Sequence, residues 1–167
     1  MIPKADHIIE KFNLVRHPEG GFFAEKYRST EVISSGLPTR FEKEHAIYTS
    51  IYFLLKEDDI SAFHVLKSDE IWHFYEGTTL LIHSITKNGM IETVRLGRDY
   101  NNEDVFQHQI KAGTYFCAEV EDRSSYSFVG CTVSPGFEYS DFTLCKRNEL
   151  LKLYPQNKDL IIKFTQE

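Results

Sequence analysis

The sequence predicts a mainly β domain, a β-sandwich or small β-barrel, with a short N-terminal helix and C-terminal helices. Eight or more short segments rich in β-branched and aromatic residues follow one another at close spacing. Turn sequences separate these segments, and no internal repeat or linker interrupts them. The 167 residues are enough for one domain with a sizeable core. We therefore expect a single domain over residues 1–167.

The N-terminal part of the chain begins with a predicted helix and continues into a strand and a loop. Pro3 precedes apolar residues at helical spacing, which predicts a short amphipathic helix with proline in its first turn. The sequence His17-Pro18-Glu19-Gly20-Gly21 ends this helix sharply. Residues 22–28 then read as a strand. Residues 29–43 mix Ser, Gly, Pro and charge, which is typical of a long exposed loop.

From residue 46 onward the pattern becomes a series of short strands. Within it, Lys87-Asn88-Gly89 contains the Asn-Gly pair that favours a tight hairpin, because both central residues tolerate positive φ. After Lys146 the spacing of Leu and Ile becomes helical, which predicts one or two helices around Pro155. The predicted strands of this region are 46–55, 61–66, 70–75, 79–86, 90–96, 105–110, 115–120, 126–134 and 140–144.

Composition argues against several classes of partner. The net charge is −6 with a pI near 5.7, and the 19 Lys and Arg are dispersed, whereas phosphate binding needs a concentrated basic face. No apolar run approaches the ~20 residues of a membrane helix, and the N-terminus lacks an apolar signal core. The three widely spaced cysteines read as free thiols in a reducing compartment. We expect a cytoplasmic protein that binds neither nucleic acid nor membrane.

The segment from His64 to Gly77 resembles a metal-binding motif of a β-barrel family, the cupins, but lacks one ligand. That motif runs Gly-x5-His-x-His-x3–4-Glu-x6-Gly. His64, Glu70 and Gly77 match it. Leu66 stands at the second His position, and Asp58 stands at the first Gly position. The segment therefore retains one imidazole and one carboxylate of the motif.

The second cupin motif, Gly-x5-Pro-x-Gly-x2-His-x3-Asn, is matched less well. Only Gly113 fits it, and Phe116 stands at its His position. Two of the four usual ligand positions are thus apolar, and a stable transition-metal site normally needs at least three protein ligands. We therefore expect no metal cofactor. The alternative is a divalent metal held by His64 and Glu70 with a third ligand from elsewhere in the chain.

Strand geometry predicts an acid–base pair in a pocket. Alternate side chains of a strand face the same way, so Glu70, Trp72 and Phe74 share one face. His73 then faces the other side, although a register shift of one residue would bring it inside. If His64 points inward, an imidazole and a carboxylate meet in a partly dry aromatic cavity, where Glu70 orients the ring. His64 and Glu70 are the candidate catalytic residues, with a purely structural buried pair as the alternative.

Further residues are candidates for ligand binding. Arg28 follows a strand and can clamp a carboxylate or phosphate, although a surface or interface arginine is equally consistent with its position. Tyr52 can donate a proton, although a packed tyrosine is the commoner case. His17 is expected to cap or pack rather than to bind a ligand. The predicted apolar wall of the pocket consists of Trp72, Phe74 and Phe116.

Several stretches of the chain, covering about residues 17 to 145, together resemble the cupin family 5 branch, a group of small and largely uncharacterised cupins. The resemblance implies a double-stranded β-helix, the cupin jelly roll, and a homodimer. The chain departs from the common family pattern at Lys111 and Tyr115, where Pro and Trp are more usual. The matching stretches are His17–Phe23 with Tyr27–Ser29, Ser50–Leu55, Phe63–Gly77, Ala112–Phe116, and Val129–Phe137 with Asp141–Phe142.

The resemblance also bears on function. Cupin family 5 is similar in fold to the sugar-nucleotide epimerases of deoxysugar synthesis, which use a His base and a Tyr acid without metal. From the pocket residues, we expect a protein that binds a small-molecule ligand. As an enzyme, it would be a metal-independent isomerase or epimerase acting on a sugar-like or acidic metabolite, with His64 and Glu70 as the acid–base pair. The alternatives are a ligand-binding module without turnover and a metal-dependent cupin enzyme.

Overall fold

The computed structural model describes residues 4–166, which form two facing β-sheets flanked by helices. Within this range the α-helices are α1 (Lys4–Phe12), α2 (Arg147–Leu153) and α3 (Lys158–Lys163), and short 3-10 helices lie at Tyr100–Asn102, Tyr139–Asp141 and Pro155–Asn157. None of these helices is long and apolar enough to cross a membrane. The strands are β1 (Val15–Arg16), β2 (Phe22–Arg28), β3 (Val32–Ile33), β4 (His45–Ala46), β5 (Thr49–Lys56), β6 (Ile60–Leu66), β7 (Asp69–Gly77), β8 (Leu80–Ile85), β9 (Ile91–Leu96), β10 (Gln107–Ile110), β11 (Tyr115–Val120), β12 (Tyr126–Ser134) and β13 (Phe142–Leu144).

The strands pair in the manner of a jelly roll. The six-stranded sheet runs β1-β2-β5-β12-β7-β10, and the five-stranded sheet runs β13-β6-β11-β8-β9. Neighbouring strands are antiparallel, and many are distant in the sequence: β5 pairs with β12, and β6 pairs with β11. Two packed antiparallel sheets with such long-range pairing form the jelly-roll arrangement. The predicted fold, a mainly β double-stranded β-helix with helices near both ends of the chain, is confirmed.

An apolar core fills the space between the two sheets. Its largest fully buried side chains include Phe53 and Trp72 from the six-stranded sheet and Phe116 from the five-stranded sheet. Burying one phenylalanine side chain stabilises the fold by roughly 1.5–3 kcal/mol. Because strand residues alternate between the two faces of a sheet, every second residue of these strands contributes to this core.

The helices cover the outer faces of the sheets. Ile8 of α1 packs with Leu54 on the outer face of the six-stranded sheet. On the other side, Leu150 of α2 and Ile161 of α3 pack with Phe63 of the five-stranded sheet. As a result, parts of both sheets are buried on their two faces, and their sequences lack the simple alternation of apolar and polar residues.

Several predicted boundaries differ from the structure. The predicted strand 46–55 is in fact two strands, β4 and β5, each with its own partners. The predicted loop 29–43 contains β3, which pairs with β4 in a separate two-stranded ribbon. The predicted strand 140–144 begins inside the 3-10 helix Tyr139–Asp141, so only its last three residues are extended. Pro3, the predicted first-turn proline, lies outside the described residues.

A tight turn between β1 and β2 is hydrogen-bonded to β6. The Gly20 N–H donates to the carbonyl of His17 (3.0 Å), and the Ala62 N–H of β6 donates to the carbonyl of Glu19 (2.8 Å). Gly20 has φ +113°, and a Cβ at this position would lie 2.0 Å from the carbonyl oxygen of Ile60. Only glycine tolerates both the backbone conformation and the close approach. The turn thereby carries the Glu19 side chain into the interior.

We expect Gly20→Ala to destabilise the protein more than Gly113→Ala does. Both glycines have positive φ, but a Cβ at Gly113 would meet nothing within 4 Å. The positive φ alone costs about 1–2 kcal/mol in the free energy of unfolding, and the clash at Gly20 adds about 1–3 kcal/mol. Urea denaturation followed by circular dichroism measures both losses. Equal losses would contradict the packing of this turn against β6.

Candidate functional site

A cavity of about 110 Å³ lies between the sheets and opens to solvent at one end. His64 enters it from β6 of the five-stranded sheet, and Glu70 enters it from β7 of the six-stranded sheet. The two residues predicted to form an acid–base pair therefore face one cavity from opposite walls. The remaining lining residues are His17, Glu19, Phe23, Glu25, Arg28, Thr49, Ile51, Phe53, Leu66, Trp72, Cys131, Val133, Phe137, Glu138, Tyr139 and Phe142.

The protonation of His64 follows from its hydrogen bonds. Its Nδ1 lies 2.7 Å from the carbonyl oxygen of Ala62, which can only accept, so Nδ1 carries a proton. Burial lowers the pKa of His64, although the Glu70 carboxylate and the Ala62 carbonyl oppose this shift. The ring is therefore neutral, and its Nε2 is an unprotonated acceptor. It packs against the rings of Phe116 and Phe142.

The carboxyl group nearest to the His64 ring nitrogens is that of Glu19. Glu19 Oε2 lies 3.4 Å from His64 Nε2 and 3.5 Å from His17 Nδ1, while Oε1 accepts a hydrogen bond from the Ser61 hydroxyl (2.8 Å). His17 Nδ1 also accepts the Glu19 backbone N–H, so it too lacks a proton. Burial raises the pKa of Glu19 and lowers the pKa of His17. A protonated Glu19 can therefore donate to either imidazole.

Glu70 is a second buried carboxyl group without a cationic partner. Its side chain is 6% exposed, and its Oε2 accepts a hydrogen bond from Trp72 Nε1 at 2.9 Å. Burial raises the pKa of Glu70 to about 7, and the nearby Glu19 adds to this effect while His64 opposes it. Among residues 4–166, no Lys, Arg or His side chain forms an ion pair with Glu70. The protonated form of Glu70 is therefore favoured over a much wider pH range than that of an exposed glutamate.

The structure separates the predicted ligand-binding residues into two groups. Trp72 and Arg28 line the cavity. Phe116 is completely buried behind the His64 ring, and Phe74 packs against the core away from the cavity. Tyr52 lies on the outer face of the six-stranded sheet, where it contacts α1, because its neighbours in β5 face inward.

His73 also lies on the outer face of the six-stranded sheet. Its Nε2 lies 3.2 Å from the Thr132 hydroxyl of β12, and its Nδ1 accepts a hydrogen bond from the Gln107 amide of β10. The register that places Glu70 and Trp72 at the cavity therefore directs His73 away from it. Along this part of β7, side chains therefore alternate between the two faces of the sheet as the sequence predicts.

The mouth of the cavity is closed on one side by an ion-pair network. Arg28 donates to both carboxylate oxygens of Glu25 (3.1 and 2.9 Å), to Glu138 (3.1 Å) and to the carbonyl of Phe137 (3.1 Å). Lys43 also donates to Glu138. Four N–H groups of the guanidinium donate to protein acceptors, so Arg28 links Glu25 to Phe137 and Glu138 at the mouth of the cavity.

His17 and Glu19 are the site residues that the sequence did not reveal. The sequence predicts that His17 caps or packs, and it shows Glu19 only as part of the turn that ends the first helix. The one available signal was the compact sequence from His17 to Gly21, in which two ionisable residues precede two glycines. Its contact with β6 spans more than 40 residues of sequence, as the Ser61–Glu19 hydrogen bond shows.

The donor arrangement does not fit a transition metal. Among residues 4–166, no three His, Cys, Asp or Glu side chains are placed to hold a metal ion together. Leu66 and Phe116, at the two apolar ligand positions, present no donor atom. The unprotonated Nε2 of His64 meets the Glu19 carboxyl instead. We therefore derive no chemical step through a metal.

We expect the wild-type protein to lose stability as the pH rises, and we expect Glu70→Gln to reduce that loss. A carboxyl whose pKa rises from 4.5 when unfolded to about 7 when folded favours the folded state below pH 4.5. This advantage declines as the pH rises to 7 and is lost above it, a change of roughly 3 kcal/mol. The glutamine variant, measured by urea denaturation, should gain stability relative to the wild type between pH 5 and pH 8. If the difference in free energy of unfolding between the two proteins does not change with pH, the raised pKa of Glu70 is contradicted.

The comparisons with known proteins agree with this architecture. The chain is 27% identical over 158 residues to an uncharacterised protein of Saccharomyces cerevisiae, YML079W, covering 87% of this chain and 77% of that protein. A hypothetical protein from Leishmania major superposes with a TM-score of 0.89 at 30% identity, over 98% of this chain and 99% of the other. Protein SO0799 from Shewanella oneidensis gives a TM-score of 0.87 at 35% identity, over 99% of both chains.

More distant structures share the fold alone. Oxalate decarboxylase from Bacillus subtilis superposes with a TM-score of 0.56 at 11% identity, over 89% of this chain and 36% of that one. The family model Cupin_5, described as cupin superfamily (DUF985), matches residues 6–145. This match confirms the resemblance read from the sequence. The chain belongs to the Cupin_5 family of the cupin superfamily.

Proposed function

We propose that this protein is a metal-independent isomerase or epimerase that moves a proton on a small, hydroxylated, sugar-like metabolite. The observation that carries the proposal is the opposition of His64 and Glu70 across one cavity. Epimerisation and isomerisation need one group to take a proton from carbon and another to return one. A neutral imidazole and a carboxyl group with a pKa of about 7 are suited to these two tasks near neutral pH.

In the proposed reaction, Nε2 of His64 is the base. The hydrogen bond to Ala62 fixes its tautomer, so Nε2 carries the electron pair that accepts the substrate proton. The Glu19 carboxyl, 3.4 Å from Nε2, must give way to the substrate C–H. Glu70 in its protonated form is the acid on the opposite wall. After one turnover His64 carries an additional proton and Glu70 has lost one, so His64 must release a proton to solvent and Glu70 must take one up from solvent. The Glu19 carboxyl lies beside His64 Nε2 and can relay the first of these transfers by passing its own proton to solvent as it accepts the proton of the ring. Trp72 holds the Glu70 carboxyl through its indole N–H.

Proton abstraction can be tested before the natural substrate is known. The protein is incubated in D2O with a panel of small aldoses, ketoses and amino sugars, and NMR detects deuterium at the carbon next to the carbonyl. We expect incorporation into at least one member, and a loss of about 100-fold or more in His64→Gln and in Glu70→Gln, since a positioned acid or base contributes about 10²–10⁴. His7→Gln, an exposed residue on α1, should leave the rate unchanged.

Two outcomes would contradict the proposal. Folded His64→Gln protein that incorporates deuterium at the wild-type rate would remove His64 as the base. Panel members that bind but exchange no deuterium would favour a binding module without turnover.

We further propose that the protein is a homodimer. Its family resemblance supports this, as do large apolar side chains exposed on the outer face of the six-stranded sheet. Tyr27 is 64% exposed, Ile71 39% and Tyr75 46%. Exposed apolar side chains on one sheet face are typical of an association surface, and a second copy of the chain offers the same surface for pairing about a two-fold axis.

Ile71→Lys should convert the dimer to a monomer, because it places a charge among the exposed apolar side chains of this face. Analytical ultracentrifugation at micromolar concentrations measures the change. Met90→Lys, at another exposed apolar residue, is the control and should remain dimeric. A wild-type protein that sediments as a monomer would contradict the proposal.

We also propose a cytoplasmic location. All three cysteines are free, and burial raises the pKa of the Cys117 and Cys131 thiols well above the usual value. Unpaired, protonated thiols suit a reducing compartment.

A further inference from the structure

We propose that the ligand of the cavity carries an ammonium group, which binds between the carboxyl groups of Glu19 and Glu70. The ligand class is a small hydroxylated amine, such as an amino alcohol or amino sugar. This inference accepts the cavity as the ligand site of the proposed function and specifies what binds there. It replaces the acidic metabolite that the sequence left open.

The charge of the cavity wall is strongly unbalanced. Its lining contains one guanidinium group, that of Arg28. Against this stand four carboxyl groups, two at the mouth and two in the interior. They belong to Glu19, Glu25, Glu70 and Glu138.

The cation at the mouth is not available to a ligand. Arginine has five N–H donors, and Arg28 directs four hydrogen bonds to Glu25, Glu138 and the carbonyl of Phe137. Lys43 is also paired with Glu138. A ligand carboxylate or phosphate would have to displace one of these protein carboxylates, and it would then lie beside the displaced group. The mouth therefore disfavours an anionic ligand.

In the interior of the cavity, no positively charged side chain among residues 4–166 offsets the charge of the carboxyl groups. Glu70 is 6% exposed and has no ion-pair partner among residues 4–166. The imidazoles beside Glu19 belong to His17 and His64, and burial favours the neutral form of both. A buried carboxyl group is stabilised by being protonated or by pairing with a cation. One ammonium group can take the place of the proton on one of the two carboxyl groups and leave the other protonated, so an acid remains for the proposed reaction.

A primary ammonium group matches the acceptors in the cavity. It has three N–H donors and no acceptor. Three kinds of acceptor face the interior: Oε2 of Glu19, the carboxylate of Glu70 and the unprotonated Nε2 of His64. The aromatic wall, which includes Trp72, suits the carbon skeleton of the ligand. The charge of the cavity lining, the three N–H donors of an ammonium group and the positions of the acceptors thus all indicate an amine ligand.

Trp72 provides a direct reporter for this site. It is the one tryptophan of the chain, and its indole N–H donates to Glu70. The single indole resonance in a ¹H–¹⁵N spectrum therefore responds to any group that binds the Glu70 carboxylate. Three probes share a three-carbon skeleton and differ in charge: 2-amino-1,3-propanediol is cationic, glycerol is neutral and glycerate is anionic.

We expect 2-amino-1,3-propanediol to shift the Trp72 indole resonance saturably, with an affinity at least tenfold higher than those of glycerol and glycerate. Glu19→Gln and Glu70→Gln should each lose this tenfold preference, because each removes one of the two carboxylates. Glu10→Gln, at an exposed position on α1, is the matched control and should keep it.

Three outcomes would overturn the inference. They are glycerate binding as tightly as the amine, no saturable shift with the amine, or a shift by Mg²⁺ or Zn²⁺ that the amine cannot compete with. The deuterium experiment separates this inference from the proposed function. Amine binding without exchange would refute only the enzyme, whereas exchange on a neutral sugar with no amine preference would refute only the ammonium site.

Discussion

Burial of two carboxyl groups without a permanent counter-charge is the constraint on which the site depends. Glu19 and Glu70 lie in an apolar interior that strongly disfavours their ionised forms. Their raised pKa values, the neutral state of His64 and its unprotonated Nε2 all follow from that environment. The surrounding fold supplies it: two sheets pack around aromatic side chains, and an ion-pair network borders the mouth of the cavity.

The sheets and the first pair of site residues follow from the sequence because both rest on local periodicity. β11 and β12 match their predicted ranges, since each is a run of mainly β-branched, aromatic and small apolar residues between turn sequences. The alternation of side chains along a strand places Glu70 and Trp72 on the inner face of β7. The motif spacing supplies His64, which faces them from the opposite sheet.

Other parts of the site depend on contacts between distant residues, which the local sequence pattern does not predict. In β5, α1 covers the outer face, so Tyr52 and Leu54 are shielded from solvent on the side away from the core and resemble inward residues in the sequence. Glu19 reaches the cavity through a turn that meets β6 about 40 residues later. The contacts of Arg28 are hidden from the local pattern for the same reason, because Glu138 lies 110 residues further along the chain and accepts a hydrogen bond from its guanidinium.

The turn that carries His17 and Glu19 is held against β6, and this has a consequence for how the site tolerates substitution. Strand residues such as His64 are tied to a register that a substitution cannot easily alter. The turn is equally constrained, because Gly20 leaves no room for a Cβ beside Ile60 and the Glu19 side chain is buried. A substitution at Gly20 would therefore move Glu19 relative to His64, and it would alter the site although Gly20 itself does not line the cavity.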